Sequence, residues 1–230
     1  MSKFIQKTTF LLIQIALLIA LSKTIKLTNL IQNKTISFFI FLGILALYIL
    51  AIWLSKKIST DVLKVNLQFS RINADELWLI VKTYLIQITA TILINLLAIH
   101  FIGHVKQVNQ DNINHFLSQL SPANLLLAVM YAAVVGPILE EFVFRGYLMN
   151  AFFKPNQQLY KILLSAFLFA IPHMHSIFLT PATIPTFLSY LVLGLSFGYV
   201  YSRSNKITVS MGLHILNNTI SLIPVFLFMN

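Results

Sequence analysis

The chain has 230 residues, 58% of them hydrophobic and only 10% charged, with a mean hydropathy of +0.84. A soluble domain carries about a quarter charged residues, so this composition leaves too little polar surface to face water on every side. The net charge of +10 comes from 16 Lys and Arg against 6 Asp and Glu. These cations lie between apolar runs instead of forming a polar and aromatic patch, which speaks against nucleic acid and for an anionic lipid surface. Cysteine is absent, excluding disulfides, thiolate metal sites, a catalytic thiol and thiol lipidation.

A helix crossing a hydrocarbon core of about 30 Å needs about 20 apolar residues. Runs of this kind follow in chain order at residues 9–21, 36–54, 77–102, 123–153, 160–178, 184–202 and 207–229. They predict an all-α, polytopic membrane helical bundle of about seven transmembrane helices. The first run is short and, behind Lys3 and Lys7, imitates a secretory signal. No small-x-small cleavage site follows at residues 22–27, so it reads as a retained helix. Counted on alternating sides, Lys3, Lys7, Lys56, Lys57, Lys64, Arg71, Lys154, Lys161, Arg203 and Lys206 face Lys23, Lys26, Lys34 and Lys106, while Lys82 and Arg145 fall inside helices. This bias places the N-terminus in the cytoplasm of a multi-pass cell-membrane protein. Residues 56–76 alternate charges with Val62, Leu63, Val65, Leu67 and Phe69, a pattern read as a solvated loop in preference to an amphipathic surface helix.

Of the six acids, Asp61, Asp75, Glu76 and Asp111 fall in loops or at helix ends, but Glu140 and Glu141 lie inside the fourth apolar run. An unpaired carboxylate at the bilayer centre costs at least about 2.5 kcal/mol, which is usually tolerated only for function or for a paired structural site. On a helix Glu141 and Arg145 are four apart and share a face, whereas Glu140 is turned about 100° away. Glu141 is therefore expected to pair with Arg145, leaving Glu140 as a general base. Pro137 should bend or break the helix, and the freed backbone should line a wet cavity.

The fifth run carries His173, one turn after Phe169, with His175 about 200° further round. In the seventh run His214 and Asn218 stack on one face, with Asn217 turned away. His100, His104 and His115 read as interfacial or loop residues. A rise of about 1.5 Å per residue puts Glu140, His173 and His214 about 15, 20 and 12 Å from the cytoplasmic helix ends, within one layer. A carboxylate and a histidine flanking a water in a lipid-enclosed cavity suit hydrolysis by water activation, with His214 and Asn218 placed to stabilise an oxyanion. Ser165, Ser189, Ser196 and Ser210 have no nucleophile setting, and HExxH is missing. Zn2+ held by His173, His214 and a glutamate such as Glu140 remains open, since two imidazoles and a carboxylate make a catalytic zinc site.

EEFVFR at 140–145, FAIPH at 169–173 and HILNN at 214–218 carry EExxxR, FxxxH and HxxxN patterns. In order and spacing they resemble the CPBP intramembrane proteases, which join type II CAAX prenyl endopeptidases with bacteriocin-processing and immunity proteins. The resemblance covers about residues 120–224, including the Gly-containing LVLGLSFGYVYSRSNKITVSMGLH. It implies a four-helix catalytic core at 120–230 behind N-terminal transmembrane helices at 1–119. By likeness Glu140 is the water-activating base and His173 its partner. Glu141, Arg145 and Phe169 support the site, and His214 with Asn218 stabilises the oxyanion. No cofactor is required on this reading, with Zn2+ as the rival. The implied substrate is a prenylated protein or a bacteriocin or signalling peptide, met within membrane lipid. Two alternatives remain: a non-catalytic immunity or scaffold protein, which would not need base and oxyanion groups together, and a proton-coupled carrier, for which paired repeats are expected and not apparent.

Overall fold

The structure, a computed structural model, describes residues 3–67, 69–103, 115–174 and 179–227, without the side chains of 26, 27, 29 and 224–227. The Lys26 side chain, His104, Lys106, Asp111 and His175 lie outside the described residues. Helices run through α1 (Lys3–Thr24), α2 (Lys34–Leu63), α3 (Ala74–Ile102), α4 (Pro122–Ala151), α5 (Gln158–Ala170), α6 (Ile184–Ser204) and α7 (Ile207–Leu227). Their ends follow local chemistry. The Asn33 side chain accepts from the N–H groups of Thr35 and Ile36 to start α2, and Asn73 with Glu76 forms a reciprocal capping box on α3. Lys64 and Asn205 close α2 and α6 in the left-handed conformation.

Among the described residues five helices, α1, α2, α3, α4 and α6, are long and apolar enough to cross a bilayer. The expected all-α polytopic bundle is present as seven helices, and the fifth run departs in detail from its expected span. The run at 160–178 does not form one span: α5 has 13 residues, about 20 Å at a helical rise, and tightens into a 3-10 turn at Ile171–His173. Pro172 lies in that turn and has no N–H to continue the helical ladder. α7 has 21 residues, as many as α6. The first run, short in sequence, gains Lys3 and polar neighbours at both ends and becomes a 22-residue helix. Residues 56–63 continue α2, so the expected loop begins only at its C-cap, Lys64.

The exposed faces are apolar: Leu12 and Ile13 on α1, Phe39, Ile49 and Trp53 on α2, and Leu85, Ile86 and Leu93 on α3 all stand outward. Hydrocarbon satisfies such faces at no cost, while backbone polar groups must pair internally, which only helices achieve within one segment.

The chain forms two compact units, each discontinuous in sequence. The first takes residues 1–67, 112–152 and 214–230, and the second takes 68–111 and 153–213. In the first, α1 packs on α2 and α2 on α4 around Phe41, Tyr48, Phe142, Phe144 and Tyr147. Buried hydrogen bonds cross these contacts: Ser55 with Gln14, and Asn124 Nδ2 to Ser37 Oγ at 2.8 Å, which in turn donates to the Thr28 carbonyl. Lys7 Nζ caps the end of α4 at the Ala151 carbonyl, 2.6 Å away, while Tyr147 Oη donates back to the Lys7 carbonyl.

In the second unit α6 packs on α3 and closely on α5. A Cβ on Gly194 would lie 2.7 Å from Ala166 Cα, and one on Gly198 would lie 3.3 Å from Ile162 Cγ2. The two glycines stand four apart, one turn along α6, and let backbones meet as small-xxx-small pairs do in membranes. Lys206, at the turn before α7, pairs with Glu76 at 2.8 Å.

Candidate active site

The acid pair sits in an unusual stretch of helix. A single α-helical turn and a half, Gly136–Glu141, is flanked by π-helical segments at Tyr131–Val135 and Phe142–Leu148. Pro137 was expected to bend or break the helix, and the structure accommodates it differently. In the first π segment the Gly136 N–H reaches back five residues to the Tyr131 carbonyl. The next donor in that pattern would be Pro137, which has none to offer Ala132. Asn218 Nδ2 donates to the Ala132 carbonyl at 2.9 Å instead, so the orphaned acceptor is satisfied from α7 and the helix continues. Asn218 Oδ1 accepts from Asn217 Nδ2 at 3.1 Å, which brings in a residue whose helical position had pointed away.

Glu141 and Arg145 are both fully buried, with Arg145 Nη1 donating to Glu141 Oε1 at 3.0 Å. The same Glu141 oxygen accepts from His214 Nδ1 at 2.9 Å. A carboxylate cannot donate, so the Nδ1 proton belongs to the ring. His214 Nε2 faces Glu140 Oε2 at 3.7 Å, beyond hydrogen-bond length. One imidazole thus stands between two carboxylates. Glu140 was expected to point elsewhere than its neighbour; the two nitrogens of His214 reach both acids from one ring.

The two glutamates still differ sharply. The Glu141 side chain is at 0% exposure and holds two charge-assisted bonds, whereas that of Glu140 is 19% exposed and carries no hydrogen bond among the described residues. One is saturated and the other is available.

His173 and Phe169 belong to the second unit. His173 Nδ1 is 2.8 Å from the Phe169 carbonyl, an acceptor, so Nδ1 donates and the lone pair of the neutral form of the ring lies on Nε2. The ring lies between Phe169, centroids 4.7 Å apart, and Tyr190, stacked at 4.4 Å. This is the physical content of FxxxH: the residue four back supplies both a flat surface and the carbonyl that fixes the tautomer. Phe169 is itself held edge-on by Phe197 at 5.7 Å. Ser210 donates to the Phe197 carbonyl, a structural use that fits its having no nucleophile setting.

Sequence reasoning missed Tyr48 and Tyr131. Their hydroxyls are 2.9 Å apart and their rings meet edge-on at 4.8 Å. On an ideal helix Tyr131, nine residues before Glu140, stands on the opposite face. The π segment adds residues to the turn and rotates it back. Tyr131 also folds over Gly136, whose missing Cβ would sit 3.6 Å from its ring, and the Gly136-Pro137 pair was the one available signal of irregular backbone here.

For a metal, Glu140 and His214 Nε2 are donors facing one another, while His214 Nδ1 is committed to Glu141. Catalytic zinc takes three protein ligands. Among the described residues no cluster of three or more His, Cys, Asp or Glu is placed to hold one.

Residues 122–220 match the family described as Type II CAAX prenyl endopeptidase Rce1-like. The chain is similar to a Bacillus subtilis (strain 168) protein named "Putative membrane peptidase YdiL", 30% identical over 93 residues, which is 40% of this chain and 35% of that protein. The match thus spans about a third of the relative's length. No solved structure matches the chain.

Proposed function

We propose, from the match of residues 122–220 to the Rce1-like family, that this chain is an intramembrane endopeptidase of the CPBP type. Water is activated by Glu140 and His173, and the substrate is a prenylated protein or a bacteriocin or signalling peptide held in the membrane. The observation that carries the reading is the asymmetry of the acid pair: Glu141 buried with two bonds, and Glu140 partly exposed beside an imidazole with no hydrogen bond among the described residues.

In this mechanism Glu140 takes a proton from water as the oxygen adds to the peptide carbonyl carbon, and the carbonyl electron pair moves onto oxygen. Asn218 stabilises that oxyanion, joined by His214 when Nε2 carries a proton; Asn218 has one amide hydrogen committed to Ala132 and its second unassigned among the described residues. Glu140 then gives the proton to the amide nitrogen as the C–N bond breaks, releasing a carboxylic acid and an amine. His173 Nε2, left as an acceptor by the Phe169 bond, is the second group assigned to the water. Arg145 and Glu141 keep His214 in place throughout.

The test is a comparison of membrane peptidomes from cells making the wild-type chain or Glu140→Gln. Peptides released only by the wild type support the reading, and identical peptidomes reject it. Repeating the release with a chelator separates water activation by Glu140 alone, which persists, from Zn2+ chemistry on Glu140, His173 and His214, which stops.

A further inference from the structure

The phenol pair beside the acid has no role in the three motifs, and its hydrogen-bonding arithmetic leaves one proton over. Two hydroxyls carry two hydrogens, and their mutual bond of 2.9 Å uses one. Tyr48, on α2, is 2% exposed, so a hydrogen pointing away from Tyr131 would be buried without an acceptor. The favoured arrangement has Tyr48 donating to Tyr131, and Tyr131 keeping the remaining O–H. No acceptor for that hydrogen occurs among the described residues.

Two observations favour an orientation of this O–H toward the reaction. Tyr131 folds back over Gly136, one turn before Glu140. Its neighbour Ala132 is where Asn218 is anchored, so the phenol and the Asn218 amide rise from adjacent residues of α4. Donors held by a second hydrogen bond in a low-dielectric setting are polarised and strengthened.

Building on the endopeptidase reading, we propose that Tyr131 is a further catalytic residue, donating its phenolic hydrogen to the substrate carbonyl oxygen alongside Asn218, and that Tyr48 is the positioning residue that orients and polarises it. The phenol remains protonated throughout. Gly136 is the space that lets the ring reach this position.

The experiment uses membranes from cells making the full chain as wild type, Glu140→Gln, Tyr131→Phe, Tyr48→Phe or the double Tyr48→Phe/Tyr131→Phe, at matched protein level. It reads the release rate of peptides whose appearance requires Glu140. Removing one oxyanion donor typically costs about 100-fold or more, so Tyr131→Phe should slow release by about that factor. Tyr48→Phe should cost less, and the double variant should be no slower than Tyr131→Phe, because the Tyr48 effect runs through Tyr131. With the parent peptide so identified and the purified protein in lipid nanodiscs, kcat should fall while KM holds.

Release by Tyr131→Phe at the wild-type rate, an effect on KM alone, or additive losses in the double variant would overturn the proposal while leaving the role of Glu140 intact. Undiminished release by Glu140→Gln would instead overturn the endopeptidase reading beneath it. If Tyr131→Phe does not accumulate, 3-fluorotyrosine at position 131 preserves shape and makes the phenol more acidic. The alkaline limb of the pH–rate profile should then move to lower pH, and an unmoved limb counts against the proposal.

Discussion

The two compact units hold themselves together by different means. The first is tied by buried polar groups: Ser55 with Gln14, Asn124 with Ser37, Lys7 on the Ala151 carbonyl, and the Arg145–Glu141–His214 chain. The second relies on close approach, with α6 lying on α5 through Gly194 and Gly198 and aromatic contacts from Phe169 to Phe197. Lipid tails are as apolar as leucine, so helices gain little by burying leucine against leucine. What remains is hydrogen bonding across helices or van der Waals contact between backbones. Each unit uses one of these predominantly, and the candidate chemistry of α4 sits in the unit that already carries buried charge.

This contrast predicts different weak points. The largest effect belongs to Glu141→Ala, which strands Arg145 and removes the acceptor of His214 Nδ1. Breaking a buried ion pair costs about 3–5 kcal/mol, to be measured by denaturant unfolding in micelles. Wild-type stability would mean that the buried chain is not what holds the first unit. In the second unit Gly194→Val drives side-chain atoms into the Ala166 backbone and should cost about 3 kcal/mol, at the upper end for overpacking. Its signature is faster hydrogen exchange in α5 and α6, and unchanged exchange there would dissolve the distinction drawn between the units. Asn218→Ala leaves the Ala132 carbonyl without its donor and should cost about 2 kcal/mol. Asn218→Asp, which cannot donate, should do no better; full recovery by aspartate would remove the account given of Pro137.

Much of this was legible in the residues. Composition alone gave helices in lipid, and the i, i+4 spacing of Glu141 and Arg145 gave their pairing, since neighbours on a helix face need no tertiary information. The same spacing gave the shared face of His214 and Asn218. Periodicity failed where the helix stopped being regular. With 3.6 residues per turn, Glu140 is turned about 100° from Glu141 and Tyr131 lies opposite Glu140; the π segment before Gly136 shifts the phase of Tyr131, and His214 reaches both acids through its two nitrogens. The length of the fifth run was misread because its apolar residues continue past Pro172, while the helix does not. Tyr48 was invisible for a different reason. It lies 83 residues from its partner, and nothing in a single sequence states which tyrosines meet.

The central claim is that two adjacent glutamates have been given opposite jobs, one structural and one reactive. Glu140→Gln and Glu141→Gln, each an amide of the same shape, test it side by side through melting temperature and Glu140-dependent peptide release. Glu140→Gln should melt with the wild type and release nothing, while Glu141→Gln should lose melting temperature together with release. A Glu140→Gln protein that unfolds early, or one that still cleaves while Glu141→Gln is stable and inert, would contradict the assignment.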